Sequence, residues 1–207
     1  MQHKPIFITG IGTGIGKTLI AAIIVEKLKA DYWKPIQSGD LADSDSLKVR
    51  ELVSNPVSFF HPEAYRLTQP YSPHKSAKLD GITIEENKIT LPDTDNTLII
   101  EGAGGLMVPL NDHFLIIDLI AQLAAEVILV SQNYLGSINH TLLSIELLKH
   151  RGIAVKGIIF NGEENASSEE YILSYTGITC LGRIPAIVSI NKDAVAEAGT
   201  LINYKVL

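Results

Sequence analysis

With 207 residues, 17 basic against 23 acidic side chains and a formal charge of −6, the chain has the length of one domain that buries roughly 70% of the surface its unfolded form exposes. No run of lysine and arginine marks a nucleic-acid footprint, and the single cysteine, Cys180, excludes an internal disulfide and suggests a reducing compartment. The apolar run before Gly10 is too short for a signal-peptide core, and the longest later one is broken by Asp118, Gln122 and Glu126, so a soluble cytoplasmic protein with no membrane partner is expected.

In chain order, short apolar runs suited to buried parallel strands alternate with helical patterns. PIFIT leads into TLIAAIIVEKLK, TLIIEG precedes FLIIDLIAQLA, EVILVS precedes INHTLLSIELLKH, VKGIIFN precedes SEEYILSY, and ITCLGRIP closes the series. Parallel strands need crossover connections, so this order predicts a doubly wound α/β fold, a mainly parallel sheet with helices on both faces. A single domain is expected over residues 1–207, with an irregular insertion at about 39–96. There Pro56, Pro62, Pro70 and Pro73 mark turns, and residues 44–53 suit a helix. Residues 188–207 are poorly patterned and are expected as a loosely packed tail; Cys180 is expected as a small buried residue on a strand. Ligands in such sheets bind beyond the C-terminal strand ends, where Gly10, Lys34, Glu101, Ser131, Asn161 and Pro185 fall.

The segment ITGIGTGIGKT, residues 8–18, carries the clearest chemistry. A strand, a turn over Gly12, Thr13, Gly14, Ile15 and Gly16, and a helix starting at Lys17 aim backbone N–H groups at an anion. Lys17 then reaches the β- and γ-phosphates of a nucleotide, and the Thr18 hydroxyl ligates Mg²⁺. The spacing departs from the usual phosphate loop, because five residues rather than four separate Gly10 from Gly16. Glu101, where TLII exits into Gly102, Ala103 and Gly104, suits a second contact to the ion. Asp40, Asp43 and Asp45 can each reach the same ion, and helix N-capping explains the same composition. Lys34 in WKPIQSG brings a second ammonium to the strand ends, where with Lys17 it would neutralise charge developing in phosphoryl transfer, although taken alone a lysine before proline reads as a surface residue; Ser38 follows on that loop. LGSINH starts a helix with Gly136, Ser137, Ile138 and Asn139, either an anion cradle or a simple N-cap. His74 and Asn161 are isolated polar residues at expected loop positions.

Together these pieces resemble the dethiobiotin synthetases, ATP-dependent enzymes that close a ureido ring on the way to biotin. The matching segments FITGIGTGIGKT, WKPIQSG, DSDSL, YSPHKSA, IIEGAGGLMVPL, LGSINHTLLS, GIIFNG and LGRIP run in order across nearly the whole chain. That family's loop also carries the extra residue. The resemblance implies a P-loop NTPase-type fold, a homodimer, and a reaction of 7,8-diaminononanoate, CO₂ and MgATP. One amine gives a carbamate, a carbamate oxygen attacks the γ-phosphate, and the second amine expels phosphate from the mixed anhydride.

By position, the resemblance makes Lys34 and Lys17 the catalytic lysines and gives Thr18, Asp45 and Glu101 to Mg²⁺. ATP would be held by Gly12 to Thr18, by Gly102, Ala103 and Gly104, and on the adenine side by Asn161, Gly162, Pro185, Ala186 and Ile187. Ser38 would meet the diamine end of the substrate, and Gly136, Ser137, Ile138 and Asn139 its distal carboxylate across the dimer interface. The chain departs from the family's pattern at Gly14, where relatives often carry glutamate, and at Lys192, where some carry an acidic residue. Two rival readings are an ATP-dependent amidoligase, for which the chain is too short to carry the usual glutaminase domain, and a partner-switching partition ATPase.

Overall fold

The computed structural model describes residues 4–206. Strand β1 (Ile6–Gly10) is followed by helix α1 (Lys17–Leu28), β2 (Asp31–Trp33), β3 (Ile36–Ser38) and α2 (Asp45–Leu52). Next come β4 (Phe60–His61), β5 (Tyr65–Leu67), α3 (Pro73–Leu79) and β6 (Leu98–Gly105). The remaining elements are α4 (Ile116–Gln122), β7 (Glu126–Gln132), α5 (Ser137–His150), β8 (Val155–Asn161), α6 (Ala166–Thr176), β9 (Cys180–Ile184) and α7 (Lys192–Ala198). Among the described residues seven strands form one sheet in the order β4-β2-β6-β1-β7-β8-β9, with every pairing parallel. The alternation of apolar runs and helical patterns predicts this architecture, and it is the one found.

Side chains alternate along a strand, and the alternation builds both layers. Ile6 and Ile8 of β1 join Ile20, Ile23 and Ile24 of α1 in one buried cluster, whereas Phe7 joins Ile116, Ile117 and Ile120 of α4 in another. With water excluded from both faces, the strand's sequence reads as one apolar run rather than an alternation. The chain passes from β1 to one side and from β6 to the other, so the order switches beside β1 and the site forms at the strand ends there.

Two expectations are corrected. The end of the chain is packed: α7 lies on α1, Val195, Ala198 and Ile202 are buried, and Ile202 bridges to Gly182 of β9. These three side chains repeat at helical spacing over less than two turns, too short a stripe to stand out from the polar residues around it. Cys180 lies on a strand but is exposed, because it opens the edge strand β9. The 39–96 segment adds β4 to the other sheet edge and pairs β5 with β3 in a separate ribbon. At the start of β2, buried Asp31 ties that segment down. It accepts from the Phe59 N–H at 2.9 Å, Thr94 Oγ1 at 2.6 Å and Asn96 Nδ2 at 3.1 Å, and lies 3.4 Å from His61 Nε2. Among the described residues no helix is long and apolar enough to cross a membrane.

Candidate active site

The glycine-rich turn is shaped by its neighbours. Gly16 caps α1 at φ 91°, in the left-handed region that glycine enters without strain. A Cβ there would lie 2.2 Å from Asn161 Nδ2, and that amide donates to the Ile15 carbonyl at 2.9 Å. The end of β8 therefore clamps the turn. Lys17 Nζ donates to the Gly12 carbonyl at 2.8 Å, which arches the side chain back over the loop. Burial pulls its pKa down to about 8 against the charge of Glu101; Lys34 lowers it further and Asp45 opposes.

Glu101 is 1% exposed at the end of the apolar part of β6, in register with Ile8 of β1. Its Oε1 accepts from Thr18 Oγ1 at 2.8 Å and from Lys34 Nζ at 3.2 Å, and its Oε2 accepts from the Tyr32 hydroxyl at 2.8 Å. Buried Lys34 also forms an ion pair with Asp45. Burial alone would depress the Lys34 pKa, but the charges of Glu101 and Asp45 and their hydrogen bonds outweigh it and hold the pKa above the ordinary lysine value. For Asp45 burial acts upward, and the charge and hydrogen bond of Lys34 overcome it, so the carboxyl is held below its usual range. An ammonium thus sits fixed and charged between two carboxylates at the mouth of the loop.

Lys17, Thr18, Lys34, Asp45 and Glu101 line a cavity of about 620 Å³ together with Ser38, Tyr71, Ser72 and Pro73. Ser38 Oγ is buried there with no hydrogen-bond partner among the described residues. A second cavity of about 590 Å³ adjoins at Gly16 and Thr18, walled by Leu19, Leu52, Lys48 and the segment Ile190, Asn191 and Lys192.

The fold brings most of the nominated residues together. Thr13, Gly14, Gly16, Lys17, Thr18, Lys34, Ser38, Asp45, Glu101, Gly102, Ala103 and Gly104 share the first cavity, while Ile15 is buried beneath the loop. Of the three aspartates, Asp40 and Asp43 are exposed and only Asp45 reaches Lys34. The N-cap of α2 is Ser44, whose side chain accepts from Leu47 N–H, so capping does not account for Asp45. Pro185 and Ala186 are exposed and Ile187 packs on the core; none of the three lines either cavity. The Gly162 N–H donates to the Ile184 carbonyl at 2.8 Å, tying the end of β8 to that of β9. Gly136, Ile138 and Asn139 border a separate cavity of about 790 Å³, and Ser137 is buried beside them. His74 stands in the first turn of α3 and Asn161 ends β8, so neither is a loop residue.

Sequence reasoning missed Tyr32 and Gln37. Gln37 Oε1 accepts from the Asp45 N–H at 3.3 Å, and its Nε2 donates to the Gly39 carbonyl at 2.9 Å, which seats the start of α2 against β3. The available signal was a phenol within a fully buried strand, because a buried Tyr hydroxyl requires a partner.

Comparison with known proteins gives the chain a family. The model of the AAA domain family matches residues 4–194. The chain is 56% identical to the ATP-dependent dethiobiotin synthetase BioD of Christiangramia forsetii, over 87% of each protein. It is 53% identical to the enzyme of the same name from Cytophaga hutchinsonii, over 93% of each. Among solved structures, the Chlorobium tepidum ParA family ATPase superposes with a TM-score of 0.58 at 15% identity, covering 96% of this chain and 99% of that one. The Pyrococcus furiosus cell division ATPase MinD superposes with a TM-score of 0.60 at 13% identity, covering 96% and 98%. Those two likenesses speak to the fold alone. Kinship at more than half of all aligned positions, over nearly the whole chain, carries the activity: this protein belongs to the ATP-dependent dethiobiotin synthetase family and is an ATP-dependent cyclo-ligase.

Proposed function

We propose that the cavity at Lys17, Lys34 and Glu101 joins CO₂ to 7,8-diaminononanoate and closes the ring with ATP cleavage, giving dethiobiotin, ADP and phosphate. The observation that carries this reading is Lys34, buried and paired with both Asp45 and Glu101 beside the phosphate loop. Lys17 and the loop N–H groups hold the phosphates. Thr18, Asp45 and Glu101 would hold Mg²⁺. They offer only hard oxygen donors, and no cluster of three His, Cys, Asp or Glu side chains forms among the described residues. Such a set suits an ion that keeps phosphate oxygens and water in its shell. When bound, Mg²⁺ neutralises phosphate charge and polarises the transferring group.

One amine attacks CO₂ and loses a proton to give the carbamate. A carbamate oxygen attacks the γ-phosphorus and releases ADP, and the second amine attacks the carbamoyl carbon, loses its proton and expels phosphate. Lys34, fixed as a cation, stabilises the negative charge of the carbamate and of the transferring phosphoryl group. The unpartnered Ser38 hydroxyl faces the amines. Adenine would lie beyond the end of β8, near Asn161, Gly162 and the segment from Pro185 to Ile187.

Two copies make the working unit in this reading. Gly136, Ile138 and Asn139 open onto a different cavity from Lys34, which favours delivery of the distal carboxylate to the α5 N-terminus of a second copy. Exposed Met107 and Leu143, beside Gly12 and Thr13, offer apolar surface for the contact. Residues 1–207 act as one domain in which the 39–96 insertion supplies Asp45, and the single cysteine fits a cytoplasmic setting.

The test is ADP release by purified protein with Mg²⁺, diaminononanoate and bicarbonate. Omitting either the diamine or bicarbonate is expected to abolish release. Release that persists unchanged without the diamine would remove the substrate assignment.

A further inference from the structure

We infer that Tyr32 is a positioning residue for the metal-binding carboxylate: its hydroxyl holds one oxygen of Glu101 so that the other alone faces Thr18, Lys34 and the cation. The inference rests on the proposed assignment of Glu101 to Mg²⁺.

Tyr32 lies on β2 next to β6, in register with Ile99, two residues before Glu101. Residues two apart on a strand share a face, so the phenol and the carboxylate project from neighbouring strands into the same layer. Tyr32 is 0% exposed, sits in the α1-side core, and tilts against Phe60 with ring centroids 6.0 Å apart. A phenylalanine would fill that space equally well. Packing therefore accounts for the ring and not for the hydroxyl, whose desolvation is costly unless it finds a partner. Its partner among the described residues is Glu101 Oε2, at 2.8 Å.

The two carboxylate oxygens differ in what holds them. Oε1 takes its bonds from Thr18 and Lys34, which line the cavity. Oε2 takes its bond from a side chain walled into the core. Between a phenol and a carboxylate the hydroxyl is the donor, so the bond runs from Tyr32 to Oε2. The carboxylate plane is thus fixed from behind while its front remains free to ligate, the arrangement that hydrogen-bonded neighbours impose on metal ligands.

The test compares the full chain with Tyr32→Phe, Glu101→Gln and the double variant. Mn²⁺ binding is followed by electron paramagnetic resonance at fixed ADP, and Mg²⁺ half-saturation is read from ADP release. Tyr32→Phe is expected to raise both half-saturating metal concentrations about ten-fold or more. Metal-free ADP binding should stay within about two-fold, a result that a purely structural role would not produce, and in the Glu101→Gln background the Phe change should add nothing. If Glu101→Gln weakens Mn²⁺ binding and Tyr32→Phe leaves it unchanged, the role of Tyr32 is overturned and the metal assignment stands. If neither substitution moves it, the metal assignment itself fails.

Discussion

Two buried carboxylates lie on neighbouring strands, Asp31 at the start of β2 and Glu101 three residues beyond its register partner Leu98 on β6, and their surroundings separate scaffold from site. Asp31, at the start of β2, is held by a backbone N–H, a threonine, an asparagine and a histidine from the segments it ties together, and lines none of the three cavities described above. Glu101, at the end of the apolar part of β6, is held by Thr18, Tyr32 and Lys34, and two of those three line the main cavity. Both acids are almost without solvent contact. Burial of a charge therefore identifies neither role; whether its partners border an open cavity does.

The largest effect expected on the Glu101 side is that of Lys34→Ala. Turnover should fall at least about a hundred-fold, because a fixed cation at the transferring group is lost, while ATP binding weakens less. An unchanged steady-state rate would take Lys34 out of the mechanism. On the other side, Asp31→Ala leaves several buried donors unpaired and should cost about 2 to 3 kcal/mol of stability by denaturant unfolding. Its Mg²⁺ half-saturation should match that of the parent chain. A shift there would erase the distinction between the two acids.

The smallest expected effect is in pH dependence, where the two regions respond at opposite ends of the scale. The Lys17 pKa of about 8 rises when phosphates bind, so nucleotide binding takes up a proton. Affinity should then fall as pH rises through 8, by at most about ten-fold per pH unit. Calorimetry in buffers of different ionisation enthalpy reads the proton directly, and the uptake should vanish in Lys17→Arg. In the folded chain Asp31 is held below its usual range: burial acts upward, and the hydrogen bonds from Thr94, Phe59 and Asn96 outweigh it. Its contribution to stability is present above the unfolded-state pKa and is lost as pH falls through the folded one, so Asp31→Ala should flatten the acid limb of the unfolding curve.

The sheet was legible because its strands are buried on both faces, and IFITG, LIIEG and EVILVS each read as one apolar run. The residues of the cavity were legible because Gly16-Lys17-Thr18, Lys34 and Glu101 are polar groups placed at the ends of those runs. Asp45 was one of three equal aspartates from spacing alone; the resemblance singled it out, and the ion pair to Lys34 distinguishes it in space. Tyr32 and Gln37 stayed hidden because their parts depend on contacts with residues far away or in another element, Glu101 across the sheet and the first turn of α2. The packed chain end was missed for a similar reason: Val195, Ala198 and Ile202 acquire meaning only against α1 and β9.

The most direct measurement is a crystal structure of the protein with diaminononanoate, an unreactive ATP analogue and Mg²⁺. The account predicts Mg²⁺ held by Thr18, Asp45 and Glu101, the diamine end at Lys34 and Ser38, the distal carboxylate on Gly136 to Asn139 of a second copy, and Asp31 in its present bonds. A metal away from Glu101, or a diamine bound without contact to Lys34, would contradict it.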